Sequence, residues 1–280
     1  MTAPTVLFDA PGPKARRRHR LIAIATIAAL IAGLGVVVWR FQTTGQLEYE
    51  LWEPFVTPAY MQILGQAALD TLKTAVLAII GALAFGGLFS VGKLSIHRAI
   101  RWPSWLIVEF FRAVPLLMLI FFIWSLYKFE TGIMAPLVLG LVLYNGSVLA
   151  ETFRAGMNAV PIGQVEAAYA IGMRKNAVMR IVQFPQSVKV MLPAIVSQCI
   201  VALKDTSLGY YILAPGLTFA GREIWREYDN RLQTALVLAV MYIAINLLLT
   251  WLAKWLEGRL NRSESRAARA LADEARRALA

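Results

Sequence analysis

The chain has 280 residues, of which 58% are hydrophobic and only 16% charged, with a mean hydropathy of +0.59. A soluble domain usually carries about 25% charged residues, so this composition excludes a water-soluble globular protein and points to a chain embedded in lipid. The net charge of +11 would suggest nucleic acid in a soluble chain. Here the basic residues stand in blocks beside apolar runs, where they set orientation, and nucleic-acid binding is set aside.

Crossing about 30 Å of hydrocarbon takes about 20 apolar residues in a helix, and six segments are long enough. The first, Leu21 to Trp39, follows a basic segment (1–20) that contains KARRRHR. It is too long for a secretory signal and ends in VVVWRFQ without a small-residue cleavage site, so it reads as a retained anchor, with its outer loop filling 21–61. The second, Leu64 to Gly92, carries Asp70 and Lys73 three apart near its outer end, the spacing of an intrahelical ion pair. Its end, Gly87 to Leu94, fits GxxxxGK and then fails as a phosphate loop. Leu94 stands where a Mg²⁺-binding hydroxyl belongs, and the run closes a membrane span instead of joining a strand to a helix.

The third span, Ser104 to Tyr127, has Glu109 and Arg112 near its inner end, read as a gate or an interhelical bond, with Pro115 following to bend it. The fourth, Ile133 to Arg154, closes on Glu151 and Arg154, which snorkelling and anchoring explain. The fifth, Val188 to Leu213, contains Lys204, Asp205, Thr206 and Ser207 past its midpoint. An ionised side chain at a helix centre costs about 2.5–3.5 kcal/mol on insertion scales. Four consecutive polar residues point all round a helix, so they predict a wet path between helices, where an ammonium and hydroxyls can hold a carboxylate; charge pairing within the bundle is the alternative. Cys199, in the same span, reads as a small buried hydrophobe. The sixth span is Leu232 to Leu256, and the alanine- and arginine-rich tail, 257–280, is helix-prone and suited to the cytoplasm or anionic lipid.

With the N-terminus placed inside, the inner segments carry nineteen Lys and Arg and the outer loops five. Both termini, and the segment between the fourth and fifth spans, are therefore expected in the cytoplasm. Trp39 and Trp124 then fall near outer ends and Trp102, Trp105, Trp251 and Trp255 near inner ones, at headgroup level. The expected fold is all-α, a polytopic membrane bundle of six spans.

The cytoplasmic segment, about 155–187, holds EAAYAIGMRKNAVMRIVQFP from Glu166 to Pro185. It predicts a short helix, a turn at Gly172, and a second short helix, RKNAVMRIV, stopped by Pro185. Ala167, Ala168 and Ala170 allow close approach of another backbone, while Glu166, Arg174 and Lys175 offer charges. The run resembles the coupling loop of the membrane subunits of ATP-binding-cassette importers: EAA, three residues, Gly, nine residues, Ile, one residue, Leu, Pro. Here Glu166-Ala167-Ala168, Gly172 and Pro185 keep the spacing, with Val182 for Ile and Phe184 for Leu.

That resemblance implies a type I importer permease whose hairpin docks into a separate ATPase through Glu166, Ala167, Ala168 and Gly172. EFFRAVPLL (Glu109 to Leu117), LAETFRAGMNAVPIGQVEAA (Leu149 to Ala168) and KDTSL (Lys204 to Leu208) resemble the polar amino acid branch, and the similarity covers about Gln62 to Leu256. The opening VLFDAPGPKARRR and the six-span length are similar to the longer permease subunit of glutamate uptake systems. The resemblance implies a bacterial cell membrane and inward translocation of a polar amino acid, glutamate first, by alternating access. It implies as partners a homodimeric ATPase that holds ATP and Mg²⁺, a second, shorter permease, and an extracytoplasmic binding protein that meets the outer loops Gln42–Tyr60 and Ala214–Asn230. No cofactor and no catalytic set is expected in this chain: His19 and His97 are isolated, and no Cys, His or carboxylate cluster has metal-ligand spacing. A stand-alone secondary transporter or a channel is the alternative, and neither would need a coupling hairpin.

Overall fold

The computed structural model describes the backbone of residues 12–126 and 133–278, and side chains through Trp255. The VLFDAP opening, the expected third-span end at Tyr127, Lys128 of the outer loop and the tail's side chains lie outside the described residues. The chain divides into two compact units, residues 1–54 and 55–280. The first holds α1 (Pro13–Thr43) and α2 (Tyr49–Trp52), linked by a turn at Gly45, where the Trp52 indole donates to the Gln46 carbonyl at 3.3 Å. Pro13 begins α1, where its missing N–H costs nothing, and the apolar side chains of α1 are exposed.

The second unit is built on α3 (Pro58–Leu94) and α6 (Ala135–Asn158), which pack along much of their lengths. Small residues make that possible. A Cβ on Gly86 would lie 2.9 Å from the Gly146 carbonyl, and one on Gly146 would lie 3.0 Å from the Phe85 Cβ. Between apolar helices in lipid, such close backbone approach supplies the packing that a hydrophobic driving force cannot.

Between them the third predicted span is not one rod. It is α4 (Arg98–Ala113) and α5 (Leu116–Leu126), bent by 102° at Val114-Pro115. Pro115 has no N–H to continue the ladder, and Val114 is pushed to an extended conformation (ψ 129°), as a residue before proline is. Among the described residues, five helices are long and apolar enough to cross a membrane, or six if this bent pair counts as one.

After α6 come α7 (Ile162–Ala170) and α8 (Lys175–Ala177). A π-helical turn (Val178–Gln183) then runs directly into α9 (Phe184–Asp205). Pro185 therefore does not stop the second short helix. It sits in the first turn of α9, and the wider turn before it is where the hydrogen-bond ladder changes register. The fifth span tightens into a 3₁₀ segment at Thr206–Ile212 and ends at Leu213, in the left-handed region (φ 57°).

The expected outer loop Ala214–Asn230 is mostly a helix, α10 (Leu217–Tyr228). Its Leu217, Ala220 and Ile224 are buried in one cluster with Leu64 and Ala67 of α3 and Leu238 of α11 (Arg231–Ala278). The Leu217 N–H is held by Thr71 Oγ1 at 2.9 Å. The other outer loop, Gln42–Tyr60, also contains helix, at α2. α11 carries the sixth expected span and continues as one helix to Ala278.

Candidate functional site

The hairpin is assembled by backbone geometry. α7 ends with Met173 N–H bonded to the Ala168 carbonyl (3.1 Å) and Gly172 N–H to the Tyr169 carbonyl (2.9 Å), with Gly172 at φ +82°. This paired 6→1 and 5→2 closure is a Schellman motif, and it needs a left-handed residue that glycine adopts without a Cβ penalty. The turned chain presents Glu166, Ala167, Gly172 and Arg174 outward, together with Ile171, which is 79% exposed. Ala168 departs from the expectation. α7 packs on the π-helical turn, and Ala168 on one and Val178 on the other are buried, so Ala168 at 5% exposure holds the hairpin to its own chain instead of offering a surface. Pro185 and Phe184 lie exposed at the start of α9. Phe184 lines an apolar cavity of about 690 Å³ with Leu94, Met157 and Met191, where the larger ring has room.

Next to the hairpin, two pairs that the sequence separates are one cluster. Glu109 accepts from Arg112 at 3.0 Å, and Glu151 accepts from Arg154 Nε at 2.8 Å, each three residues apart. Lys93 of α3 joins them, bonding Glu151 and lying 3.5 Å from Glu109. Its side chain is 4% exposed, and Glu151's is 19%. The lysine of the failed phosphate loop is thus the buried hub of a cluster joining α3, α4 and α6. Sequence reasoning counted it only as an orienting charge. The signal that could have found it was an ammonium in the last turn of an apolar span with two carboxylates on neighbouring spans. The outer pair, Asp70 and Lys73, forms at 3.0 Å, with Gln66 also donating to Asp70 at 3.3 Å.

The four polar residues of the fifth span do face different ways. Asp205 accepts from Asn145 Nδ2 of α6 at 3.4 Å, and Asn145 Oδ1 accepts from Gln198 at 2.6 Å. Thr206 is buried, its hydroxyl on the Leu203 carbonyl at 2.6 Å. Lys204 and Ser207 instead line a cavity of about 550 Å³ shared with Tyr242, Asn246 and Thr250 of α11. Asn246 Oδ1 is buried there with no hydrogen-bond partner among the described residues. Asn145 and the α11 polar stripe were not singled out from sequence, although polar residues at 242, 246 and 250 repeat every four positions on one helix face. Among the described residues no group of His, Cys, Asp and Glu could hold a metal ion.

Residues 82–262 match the model of the family described as binding-protein-dependent transport system inner membrane component. The chain belongs to that family. Among its relatives, the glutamate transport system permease protein GluD of Corynebacterium glutamicum is 36% identical, over 79% of this chain and 84% of that one. The arginine transport system permease protein ArgU of the same organism is 27% identical, over 90% of this chain and 83% of that one. A solved chain of an amino acid ABC transporter with histidines superposes with a TM-score of 0.67 at 27% identity, covering 72% of this chain and 95% of that one. A chain of the MetNI methionine ABC transporter, at 18% identity and a TM-score of 0.60, shares the fold.

This inner membrane component is therefore a multi-pass permease subunit of a bacterial, binding-protein-dependent ABC importer of polar amino acids, with the type I fold. It is not the ATPase: hydrolysis is on a partner chain, and a binding protein is the other partner the family implies.

Proposed function

We propose that this permease imports glutamate, that it pairs with a second, shorter permease above a homodimeric ATPase, and that both its termini are cytoplasmic. The observation that carries the coupling role is the Schellman-closed hairpin, which leaves Glu166, Ala167, Arg174 and the apolar Ile171 exposed at its surface. An exposed isoleucine beside charges on a pinned turn suits a cleft in another protein. The nineteen-to-five distribution of Lys and Arg supports placing that hairpin in the cytoplasm, where the ATPase is.

Glutamate is supported by the likeness to the glutamate permease of Corynebacterium glutamicum and by the cavity between α9 and α11. There Lys204 and Ser207 supply donors for a carboxylate. Asp205 and Thr206, turned into the bundle, hold the walls of this path.

The test is reconstitution of the native complex with its binding protein. Copurification of an ATPase and a shorter permease, with glutamate-loaded binding protein raising ATP hydrolysis, is the expected result. Lys204→Met then lowers glutamate uptake by about tenfold or more while the complex still assembles. A chain that purifies without an ATPase sinks the coupling role, and unchanged uptake in Lys204→Met sinks the path.

A further inference from the structure

The Lys93 cluster opens into a cavity of about 470 Å³ that neither coupling nor the substrate path uses. Besides Lys93, its walls hold Arg101, Arg112 and Arg154 against Glu109 and Glu151, with Trp102 and Trp105 completing it. Cations exceed carboxylates by two. The carboxylates are already engaged by Lys93, Arg112 and Arg154. Among the described residues, Arg154 uses only Nε and Arg112 only one terminal nitrogen, and each guanidinium has five N–H donors. Arg101 has no carboxylate in reach among the described residues. Unspent guanidinium forks converging on a cavity are an oxyanion site, and phosphate fits them two oxygens at a time.

The setting narrows the source of that phosphate. Arg101, Trp102 and Trp105 lie on α4, which begins just after the last turn of α3, and both indoles are exposed, as rings are at headgroup level. Ile100, Leu106 and Phe110 continue the exposed apolar surface of the same helix, where acyl chains can lie. A basic pocket between transmembrane helices with an apolar apron is the arrangement that takes an acidic headgroup.

We propose that this cavity binds the phosphodiester headgroup of an anionic phospholipid, gripped by Arg101, Arg112 and Arg154, and so couples the joint of α3, α4 and α6 to lipid composition. The test extracts the whole importer complex from bilayers of mixed phosphatidylglycerol and phosphatidylcholine and weighs the retained lipid by native mass spectrometry. Wild type keeps phosphatidylglycerol over phosphatidylcholine, and Arg101→Gln, which breaks no ion pair, lowers that retention about tenfold. Arg98→Gln, one turn away and outside the cavity, keeps it. Equal losses in the two variants overturn the site in favour of diffuse surface attraction, and equal retention in wild type and Arg101→Gln overturns it outright. Displacement of the lipid by millimolar inorganic phosphate overturns the headgroup assignment in favour of a free anion.

Discussion

Lys93 and Lys73 share a helix and differ in everything that decides what an ammonium contributes. Lys73 is 60% exposed beside Asp70, whereas Lys93 is buried between two carboxylates from other helices. An exposed pair contributes about 0–1 kcal/mol. Breaking a buried one costs about 3–5 kcal/mol, because the partner is left charged and undersolvated. Lys93→Met is therefore expected to lower the denaturation midpoint of the detergent-solubilised complex well below that of Lys73→Met. Adding Glu151→Gln to Lys93→Met recovers part of the loss, since the stranded charge is gone. Equal midpoints for the two single variants would show that the cluster is wetter than its geometry. From the sequence only Asp70 and Lys73 were legible as an intrahelical ion pair, because i, i+3 spacing is local; the cluster's two pairs were legible only as a gate or interhelical bond (Glu109, Arg112) and as snorkelling anchors (Glu151, Arg154). Their union was not, because Lys93 to Glu151 is a contact across fifty-eight positions, and no local pattern reports a distant neighbour.

At the scale of elements, the hairpin was legible wherever backbone chemistry is local and misread where packing decides. Gly172 was marked by its lack of a Cβ, and the chain uses that freedom at φ +82°, with no atom of the described residues beyond its own chain neighbours within 4 Å of a hypothetical Cβ. Any cost of replacing it is thus conformational and not a clash. Left-handed geometry costs an L-residue about 1–2 kcal/mol, less for asparagine and more for a β-branched side chain. Reconstituted uptake is expected to fall in the order Gly172, Gly172→Asn, Gly172→Val, with the normal amount of permease in the membrane; Val and Asn variants that transport equally well would mean the turn's handedness is not used. Pro185 misled because a proline usually ends a helix, but a π-helical turn placed before it carries the chain into α9. Ala168 misled because an alanine's burial depends on what lies opposite. The bend at Pro115 was foreseen, but its 102° magnitude was not, because no local pattern reports an angle between two helices.

At the scale of the whole molecule, the division at Pro54 separates α1 from the unit that holds the α3–α6 packing, the hairpin and both polar cavities. The matched family region, residues 82–262, also lies wholly in that second unit. Apolar periodicity and length were enough to find the spans, because each must satisfy its own backbone bonds in lipid. Removal of residues 2–54 takes away one span and its basic leader, which leaves an odd number of crossings if α4 and α5 make one. In the proposed topology the remaining inner segments still carry fourteen Lys and Arg against four in the outer loops, and such an asymmetry sets orientation. The shortened chain is accordingly expected to keep its tail in the cytoplasm and to move its new N-terminus outside, as read by labelling of single cysteines placed at each end of a Cys199→Ser background. A reversed tail would mean that the basic leader before α1, and not the later loops, orients the permease. A tail that stays inside, with the ATPase still bound at the hairpin, locates the coupling machinery entirely in residues 55–280.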